Sequence, residues 1–332
     1  MAKGIMYVDN IRVEFDDEPT IMDVCRKAGV EMPNFCFHSD LSVYGACRMC
    51  MVEDLDTGKI DAACTTKPKN GMRIRTNTSR LLKYRRMILE LMLASHCRDC
   101  TACEKNRSCR LQEMAVRFGI HHVHFKDTRE HVPMDFSSPA VTFDLNKCIL
   151  CGDCVRVCKE VQGMSILHFA GRGPGLHIEA GDDQPISTTH CVSCGQCAAV
   201  CTTGAITVKN DIGAAWRALH DPQKRVVIQI APAVRVAIGE AYGLPAGENV
   251  LDKLVTALKI MGADEIYDTI FGADLTVREE SKEFLRRLET GENLPLMTSC
   301  CPSWVRYVEQ ERPQFIKNLS SALSPMQMFA TV

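Results

Sequence analysis

The sequence predicts a multidomain α+β protein in which small cysteine-rich domains precede an α/β layer. Residues 5–15 alternate apolar and polar side chains around a turn at Asp9-Asn10, which is typical of a β-hairpin. Two segments, Cys148–Cys158 and Cys191–Cys201, share one cysteine pattern and indicate an internal duplication. Beyond roughly residue 220, short apolar runs alternate with helical patterns, which predicts parallel strands joined by helices.

The composition is that of a globular protein rich in metal-binding thiols. The 332 residues are 46% hydrophobic and 24% charged, enough for two or three cores. Nineteen cysteines are too many for accidental core thiols, and the first residues lack the apolar stretch of a secretory signal. Metal-bound thiolates in a reducing cytoplasm are therefore expected instead of disulfides. A formal charge of −2 and the lack of a long apolar run argue against nucleic-acid binding and direct membrane insertion.

Local signals predict the elements of the first half. Thr20 caps a short helix through Ala28, in which Cys25 is expected to be a small buried residue. Ser79–His96 repeats apolar residues at helical spacing, so its Met and Leu stripe is expected to pack in a core. The basic run from Arg73 to Arg86 is expected to lie on a solvated helix face.

Fewer local signals mark the second half. Gly171–Gly175 is interpreted as a turn and not a phosphate-binding loop, because it lacks a strand-to-helix context. The histidines His121, His122 and His124 are expected on a surface strand or loop. The predicted elements of the last region are a buried strand at Val226–Ile230, a helix at Val250–Met261, a short strand at Glu265–Tyr267 and a helix at Leu275–Leu288.

The first cysteine set is Cys36, Cys47, Cys50 and Cys64. A [2Fe–2S] cluster needs four thiolates around two irons, and the small turn residue Gly45 lets the loop wrap closely around the inorganic sulfides. Zinc is the alternative, but it prefers paired Cys-x-x-Cys or Cys/His knuckles. The set resembles the cluster domain at the start of the large iron–sulfur subunit of respiratory complex I and of related hydrogenases. That resemblance implies a β-grasp, ferredoxin-like domain over residues 1–78.

The second set is His96, Cys100, Cys103 and Cys109. The surrounding sequence, down to Leu111-Gln112, resembles the His/Cys3-ligated [4Fe–4S] motif of the same two families. The resemblance implies that these four residues are ligands within a small domain over residues 79–120. Cys97 stands where the family usually has proline, so its thiol is an alternative ligand to His96.

The duplicated runs have the spacing Cys-x2-Cys-x2-Cys-x3-Cys, which is the two-cluster ferredoxin pattern. The first three cysteines of a run wrap one cubic cluster, and the fourth crosses to the other. One [4Fe–4S] cluster is therefore predicted to bind Cys148, Cys151, Cys154 and Cys201, and the other Cys191, Cys194, Cys197 and Cys158. The predicted domain covers residues 138–210. Lys159 and Thr202 replace the usual proline after the fourth cysteine, which affects a detail of the turn and not the ligation.

The segment Thr298–Trp304 resembles the first signature of [FeFe]-hydrogenases, and the resemblance extends to Ala231–Arg235 and Asn318–Pro325. With the cysteine sets it covers nearly the whole chain and implies a partial α/β hydrogenase domain over residues 222–332. It implies that Cys301 binds the [4Fe–4S] part of the H-cluster, while Cys300 faces the di-iron unit. The residues implied to contact the cofactor are Ala231, Pro232 and Ser324.

The same resemblance implies a proton path. The relay of the family maps onto Glu280, Ser320 and Glu283, with Cys300 as the last proton donor. A partly buried thiol suits that role, because it can exchange a proton with a bridging amine of the cofactor. Glu280 and Glu283 are three residues apart and share one helical face, for which a solvated surface is the alternative interpretation.

The sequence departs from the family in two ways. Met326 stands where the family usually has Gln or His, and it cannot offer the same hydrogen bond beside the cofactor. The two later signatures, which carry the other three H-cluster cysteines, are absent from the 332 residues. The chain is therefore expected to be the N-terminal portion of a longer protein, truncated within the catalytic domain and inactive on its own.

The leading hypothesis is a multi-cluster [FeFe]-hydrogenase subunit that carries electrons through one [2Fe–2S] and three [4Fe–4S] clusters to an H-cluster for 2H⁺ + 2e⁻ = H₂. The H-cluster is expected only if the missing C-terminal part is supplied. The implied partners are the flavoprotein and small iron–sulfur subunits of an NAD(P)-linked complex, or ferredoxin. One alternative is an electron-transfer iron–sulfur subunit of a complex I-like or formate dehydrogenase assembly, without hydrogen chemistry. Another is a hydrogen-responsive or assembly protein that binds clusters without turnover.

Overall fold

A computed structural model describes residues 4–127, 131–182 and 184–332, which form two compact units, Met1–Lys209 and Asn210–Val332. Each unit has its own strands and helices, as expected for a multidomain α+β chain. No helix in the described part of the chain is long and apolar enough to cross a membrane.

The N-terminal domain is a five-stranded mixed sheet. Its first hairpin turns at Asp9 and Asn10, which both have positive φ, as a two-residue hairpin turn requires. The strands are β1 (Gly4–Val8), β2 (Ile11–Phe15), β3 (Met51–Asp54), β4 (Ile60–Ala62) and β5 (Arg73–Arg75), in the sheet order β2-β1-β5-β3-β4 with β1 and β5 parallel. The predicted hairpin is confirmed, and the long excursion between β2 and β3 carries three cysteines of the first set.

Helix α1 (Ile21–Lys27) packs against this sheet. The Thr20 hydroxyl oxygen accepts a hydrogen bond from the backbone N–H of Asp23, so the predicted N-cap is confirmed. Cys25 is fully buried in the core, also as predicted, and burial raises the pKa of its thiol to about 12. Cys25 therefore stays a neutral apolar side chain beside the metal-binding set.

Helices α2 (Ser79–Ala94) and α3 (Arg110–Arg117) form a second core. Leu89 of α2 is fully buried there against Leu111 of α3, together with apolar residues of the loop that holds Cys36 and Cys47. The predicted core stripe of α2 is confirmed for Leu81 and Leu89 but is wrong for Met87 and Leu91, which are 44% and 48% exposed. The helix begins at a Thr78 cap. The predicted surface loop is confirmed as well, since His121, His122 and His124 are exposed after α3.

Arg85 contradicts the expectation that the whole basic run is solvated. Its guanidinium is buried and donates to three backbone carbonyls, those of Met49 at 2.9 Å, Thr76 at 2.8 Å and Met51 at 2.7 Å. The oxygens concerned lie at the ends of β-structure, where the sheet leaves them without partners. Arg85 therefore fastens α2 to the cysteine loop, while its neighbour Arg86 stays exposed.

The duplicated segment folds as two matched halves. Its elements are β6 (Val141–Phe143) paired with β9 (Ile206–Val208), β7 (Leu167–Ala170) paired with β8 (His177–Ala180), and the short helices α4 (Asp153–Arg156) and α5 (Gln196–Ala199). The backbone repeats the duplication, because Leu150 and Gly152 have positive φ and so do the equivalent Ser193 and Gly195. The Gly171–Gly175 segment is the turn between β7 and β8, as predicted.

The second unit has a two-stranded parallel sheet flanked by helices. The strands are β10 (Val227–Ile230) and β11 (Glu265–Asp268), and the helices are α6 (Ile212–Leu219), α7 (Pro232–Ala241), α8 (Leu251–Ile260), α9 (Ile270–Thr290), α10 (Pro302–Glu311) and α11 (Pro325–Ala330). The parallel pairing is confirmed. The prediction of a buried strand at Val226–Ile230 is wrong for most of its length, because Val227 is 50% exposed and only Ile230 is buried. A sheet of two strands covers too little of either face to bury them.

Candidate metal centres

The first cysteine set forms a compact group of buried thiols. The Cys36 sulfur is in hydrogen-bonding contact with the Cys47 and Cys64 thiols, and Cys64 also contacts Cys50. The contacts from Cys47 and Cys64 hold the pKa of Cys36 well below its usual range, which favours the thiolate that a metal binds. The backbone N–H of Cys47 points at the Cys36 sulfur from 3.4 Å. The structure thus brings all four predicted residues together.

Gly45 explains how the loop closes around this group. Its φ is +73°, and a Cβ atom at this position would lie 2.6 Å from Cγ2 of Thr65. Both observations exclude a larger side chain without rearrangement, since L-residues rarely adopt this φ and the space is filled. The sequence argument that Gly45 permits a tight wrap therefore has a geometric basis.

The second set surrounds Cys100. Burial raises the pKa of the Cys100 thiol, and the neighbouring thiols of Cys109, Cys103 and Cys97 raise it further. His96 is buried beside them, and its Nδ1 accepts a hydrogen bond from the backbone N–H of Arg98 at 3.1 Å. Cys97 therefore lies among the predicted ligands, and the structure leaves both His96 and Cys97 as candidates for the fourth position.

The second set packs directly on the duplicated domain. A Cβ atom on Gly204 would lie 2.6 Å from the Cys103 sulfur, so a glycine is needed at this approach. The Cys97 N–H donates to the Asn146 carbonyl at 3.1 Å, and the Thr202 hydroxyl donates to the Cys151 sulfur at 3.8 Å. The second set and both duplicated runs are thus parts of one packed region.

The duplicated runs exchange their fourth cysteines. Burial raises the pKa of Cys154 well above its usual range, and nearby thiols of its own run and of Cys201 add to the shift. Burial likewise raises the pKa of Cys197 to about 12, with Cys158 among the neighbouring thiols. Each fourth cysteine therefore lies beside the first three of the opposite run, which is the arrangement that the spacing predicts.

Backbone N–H groups point at the cysteine sulfurs in both halves of the domain. The contacts are Leu150 N to Cys148 Sγ and Ser193 N to Cys191 Sγ, both 3.4 Å, with Ile166 N to Cys158 Sγ at 3.3 Å and Ile206 N to Cys201 Sγ at 3.4 Å. Such donors stabilise thiolates and tune the potential of iron–sulfur clusters. Their repetition at equivalent positions indicates that the two halves are built for the same group.

The spacing of the sulfurs fits clusters better than single ions. Four thiolates on one zinc, with Zn–S bonds of about 2.3 Å, lie about 3.8 Å apart. Among the described residues, no three cysteine sulfurs lie within 4.8 Å of one another. Sulfurs that contact one another in pairs but do not converge on one point leave room for several irons and sulfides.

Arg156 joins the first set to the duplicated domain, a role that sequence reasoning missed. Its guanidinium is buried, pairs with Asp153 at 2.5 Å, donates to the Cys36 carbonyl at 2.8 Å and also contacts the Ser42 carbonyl. Burial raises the pKa of Asp153 to about 6, although Arg156 acts in the opposite direction. The sequence contained one signal for this role, which is the position of Arg156 between two cluster cysteines. A charged side chain in a buried turn needs partners.

The second unit holds the final Cys-Cys pair at its surface. Cys300 and Cys301 are exposed, and Cys301 is the residue before α10. The preceding segment runs beside the chain at Ser320, since Met297 and Leu319 form a parallel bridge and the Ser299 hydroxyl donates to the Ala322 carbonyl at 3.0 Å. The structure therefore places the segment of Cys300 next to that of Ser320.

Glu283 is the centre of a buried hydrogen-bonded group. Its Oε2 accepts from the Ser320 hydroxyl at 3.1 Å and from the Ser321 N–H at 3.0 Å, and its Oε1 pairs with Arg287 at 2.5 Å. Burial raises the pKa of Glu283, but the Arg287 and serine hydrogen bonds outweigh burial, and the net pKa is lowered. Glu280 is half-buried one turn earlier on α9 and lies outside this group.

The remaining residues predicted to contact the cofactor lie at the starts of helices. Ala231 and Pro232 are exposed where α7 begins. The Ser324 hydroxyl oxygen caps α11 by accepting from the Gln327 N–H, so this side chain already has a structural role. Met326 follows it and is 63% exposed.

Comparison with known families divides the chain in the same order as the cysteine sets. Residues 5–79 match the 2Fe-2S iron-sulfur cluster binding domain, residues 85–124 the NADH-ubiquinone oxidoreductase-G iron-sulfur binding region, and residues 140–202 the 4Fe-4S dicluster domain. Residues 224–332 match the iron only hydrogenase large subunit, C-terminal domain. The chain is 36% identical over its whole length to the NADP-reducing hydrogenase subunit HndD of Solidesulfovibrio fructosivorans. It is an iron-only hydrogenase-type protein.

The hydrogenase-type chain covers 59% of the length of that relative. It is also 33% identical to iron hydrogenase 1 of Clostridium pasteurianum, over 98% of this chain and 57% of the relative. A solved NAD⁺-reducing [NiFe]-hydrogenase in the H₂-reduced state matches with a TM-score of 0.58 and 29% identity, over 62% of this chain and 87% of that chain. The chain is also 32% identical to an NADH-quinone oxidoreductase subunit of Rhizobium meliloti, over 60% of this chain and 23% of that relative.

Proposed function

We propose that the hydrogenase-type chain carries electrons through one [2Fe–2S] and three [4Fe–4S] clusters toward an H-cluster for reversible hydrogen turnover. The observation that carries the proposal is the direct linkage of the cysteine sets within the first unit. Arg156 connects the Cys36 loop to the first duplicated run, and Gly204 brings Cys103 against the duplicated domain. Sets joined in this way fit a conduit better than independent structural metal sites.

The bound clusters would supply single-electron transfer, and the H-cluster would supply the iron chemistry of proton reduction. The protein holds the sulfurs in buried or partly buried loops and aims backbone N–H groups at Cys36, Cys148 and Cys191. These donors stabilise negative charge on sulfur, while burial keeps water away. The loops thereby set how readily each centre accepts an electron.

In the second unit, the side chains proposed to hold and move protons are Cys300, Ser320, Glu283 and Glu280. Ser320 donates to Glu283, whose lowered pKa keeps its carboxylate ionised and able to accept that hydrogen bond. Cys300 is the exposed thiol of the neighbouring segment, and half-buried Glu280 would extend the path along α9. Cys301 is proposed as one cysteine ligand of the H-cluster, and these 332 residues supply one of the four that the family uses.

The proposed partners follow from the relatives. One relative is a subunit of an NADP-reducing hydrogenase, and others are alpha subunits of NADPH-Fe(3+) oxidoreductase. We therefore propose a cytoplasmic assembly with flavoprotein and small iron–sulfur subunits, or exchange with ferredoxin. The second candidate function is an electron-transfer subunit without hydrogen chemistry, favoured by the match of residues 85–124 to the NADH-ubiquinone oxidoreductase-G region.

The cluster content can be tested by anaerobic reconstitution of the chain. We expect about 14 irons with matching acid-labile sulfide. Cys50→Ser should remove the [2Fe–2S] electron paramagnetic resonance signal, and Cys154→Ser should remove a [4Fe–4S] signal. Cys25→Ala is the matched control, because this buried thiol is a core residue and its loss should leave iron unchanged. A preparation with zinc and little sulfide would overturn the conduit.

The hydrogen chemistry can be tested in the protein expressed from its complete gene. Cys300→Ser should abolish most H₂ turnover and retain cluster iron, whereas Cys301→Ser should lower H-cluster iron. The second candidate function would be favoured if the protein transfers electrons without H₂ and neither substitution changes the rate of that transfer. Equal loss of iron in both variants would contradict the proposed division of roles.

A further inference from the structure

The β7–β8 hairpin carries a group of metal-binding side chains that the iron–sulfur sites do not use. His168 and Glu179 are cross-strand partners, and His177 lies two residues before Glu179 on the same face of β8. Between them, Leu167 and Ile178 point the other way into the core that holds Cys154. The three polar side chains therefore share the outer face of the hairpin, and Asp182 follows just after β8.

The ligand atoms of His168, Glu179 and Asp182 converge, and His177 contacts the second oxygen of the Glu179 carboxylate. His168 Nε2 lies 2.9 Å from Glu179 Oε1, and His177 Nε2 lies 3.2 Å from Glu179 Oε2. The ligand atoms of His168, Glu179 and Asp182 are all within 4.8 Å of one another. A central ion with bonds of about 2.0–2.2 Å needs ligand atoms within about this distance of one another.

The orientation of His177 points to a cation. Its Nδ1 lies 2.8 Å from the Gly175 carbonyl, which can only accept, so Nδ1 carries the hydrogen and donates. In the neutral ring, Nε2 then has a lone pair that faces a carboxylate oxygen. That pairing is favourable only if a cation lies between them or the ring is protonated. In a metal-bound histidine, the ring nitrogen that does not bind the metal usually donates its N–H to a group such as a backbone carbonyl. His177 Nδ1 has this orientation.

We propose that His168, Glu179 and Asp182 bind a divalent transition metal, with zinc as the best match, and that His177, which contacts the same Glu179 carboxylate, turns toward the ion as the fourth ligand. Two imidazoles and two carboxylates suit zinc in four-coordinate geometry, whereas Mg²⁺ and Ca²⁺ prefer oxygen ligands alone. Glu179 is only 14% exposed, while both histidines are 42% exposed, so the anionic centre is shielded but an ion can enter. The metal would fasten the hairpin that connects the two cysteine runs.

Zinc uptake by the anaerobically reconstituted full chain tests the site. With cysteines occupied by iron, we expect one additional zinc per chain, measured by competition with a chromophoric chelator. Zinc K-edge absorption should show only N/O ligands near 2.0–2.1 Å and no sulfur near 2.3 Å. Glu179→Gln and the double variant His168→Asn/His177→Asn should each weaken binding by about 10- to 100-fold or more.

His124→Asn is the matched control, since His124 forms a comparable 2.8 Å contact with Glu90 outside the hairpin. It should leave zinc affinity unchanged, and iron content should stay constant in every variant. Zinc bound through sulfur, no additional zinc, or equal affinity in the hairpin variants would overturn the site. Absence of zinc binding together with a pH-dependent change in hairpin amide exchange would identify a protonated His–Glu pair instead.

Discussion

The two units of this hydrogenase-type chain treat their cysteines in opposite ways. In the first unit, three apolar cores surround the cysteine sets, and the thiols of the first set are buried. In the second unit, Cys300 and Cys301 are exposed, and large apolar side chains such as Tyr242 and Ile260 are more than 80% exposed. Buried thiols suit centres that only pass electrons, whereas the exposure of Cys300 differs from the partly buried state expected of a proton-donating thiol.

The two units also use buried charge differently. Arg85 and Arg156 of the first unit donate mainly to backbone carbonyls of the loop that holds the first cysteine set. In the second unit, the buried charge is the pair Glu283–Arg287, which collects serine donors around a carboxylate. Buried arginines thus hold loop carbonyls in the first unit, where Arg156 also pairs with Asp153, whereas in the second unit the buried arginine pairs with a carboxylate that accepts from serines.

Removal of iron and sulfide should cause the largest difference in stability between the two units. The thiols of Cys154, which is buried, and Cys197, which is partly buried, have raised pKa values, so without metal they are protonated and lose the metal bonds that join the two runs. We expect amide protection in 140–202 to fall by about 100-fold or more after anaerobic chelation, against little change in 224–332. Hydrogen exchange with mass spectrometry measures both regions together. Equal loss of amide protection in the two units would mean that bound metal does not stabilise the first unit selectively.

Arg85→Met should be the most damaging single substitution of those compared. It removes donors from three carbonyls, which at about 1 kcal/mol or more each predicts a loss of about 3–4 kcal/mol in the free energy of unfolding of the first unit. Chemical denaturation of the reconstituted chain measures it. Arg86→Met is the control on the same helix and should change stability little, because Arg86 is exposed. Similar losses of stability in both variants would mean that the charge on the helix, and not the contacts with the carbonyls, accounts for the effect.

Local signals were sufficient for much of the first unit. The Asp9-Asn10 turn, the Thr20 cap and the cysteine spacings each depend on neighbours in sequence, so the chain alone predicts them. Arg85 and Arg156 could not be assigned in this way. Their partners lie 9–36 and 114–120 residues away, apart from the local Asp153 contact, and only the fold brings those groups together.

The candidate site in the second unit was predictable only in part. Resemblance supplied Glu283 and Ser320, and the structure adds Arg287 and Ser321 as hydrogen-bonding partners of the same carboxylate. Helical periodicity places Arg287 one turn after Glu283, but it does not distinguish a buried pair from a surface pair such as Glu279–Lys282. Burial depends on the packing of α11 and of the chain around Ser320, which no local pattern encodes.

Glu283→Gln should have a smaller effect, confined to the second unit. The amide keeps the shape but leaves Arg287 buried without a counter-charge, at a cost of about 2–3 kcal/mol. Hydrogen exchange of α9 measures it in the full chain. Glu279→Gln is the matched control, because Glu279 is exposed on the same helix and pairs only with Lys282. A loss of protection in the first unit would contradict the expectation that the effect stays within the second unit.

Ser42→Ala should have the smallest effect and tests whether surface contacts help Arg156 to hold the first cysteine loop. The Ser42 hydroxyl donates to Glu160 at 2.5 Å and its N–H donates at 2.8 Å, so the variant loses one of two hydrogen bonds to an exposed carboxylate. Because water can replace that bond, the unfolding midpoint should fall by only about 1–2 °C. The [2Fe–2S] resonance should stay unshifted, since the Arg156 contact with the Cys36 carbonyl remains. Ser39→Ala, an exposed serine of the same loop, should cause no change. A shifted resonance in Ser42→Ala alone would mean that this surface contact, and not buried Arg156, determines the geometry around Cys36.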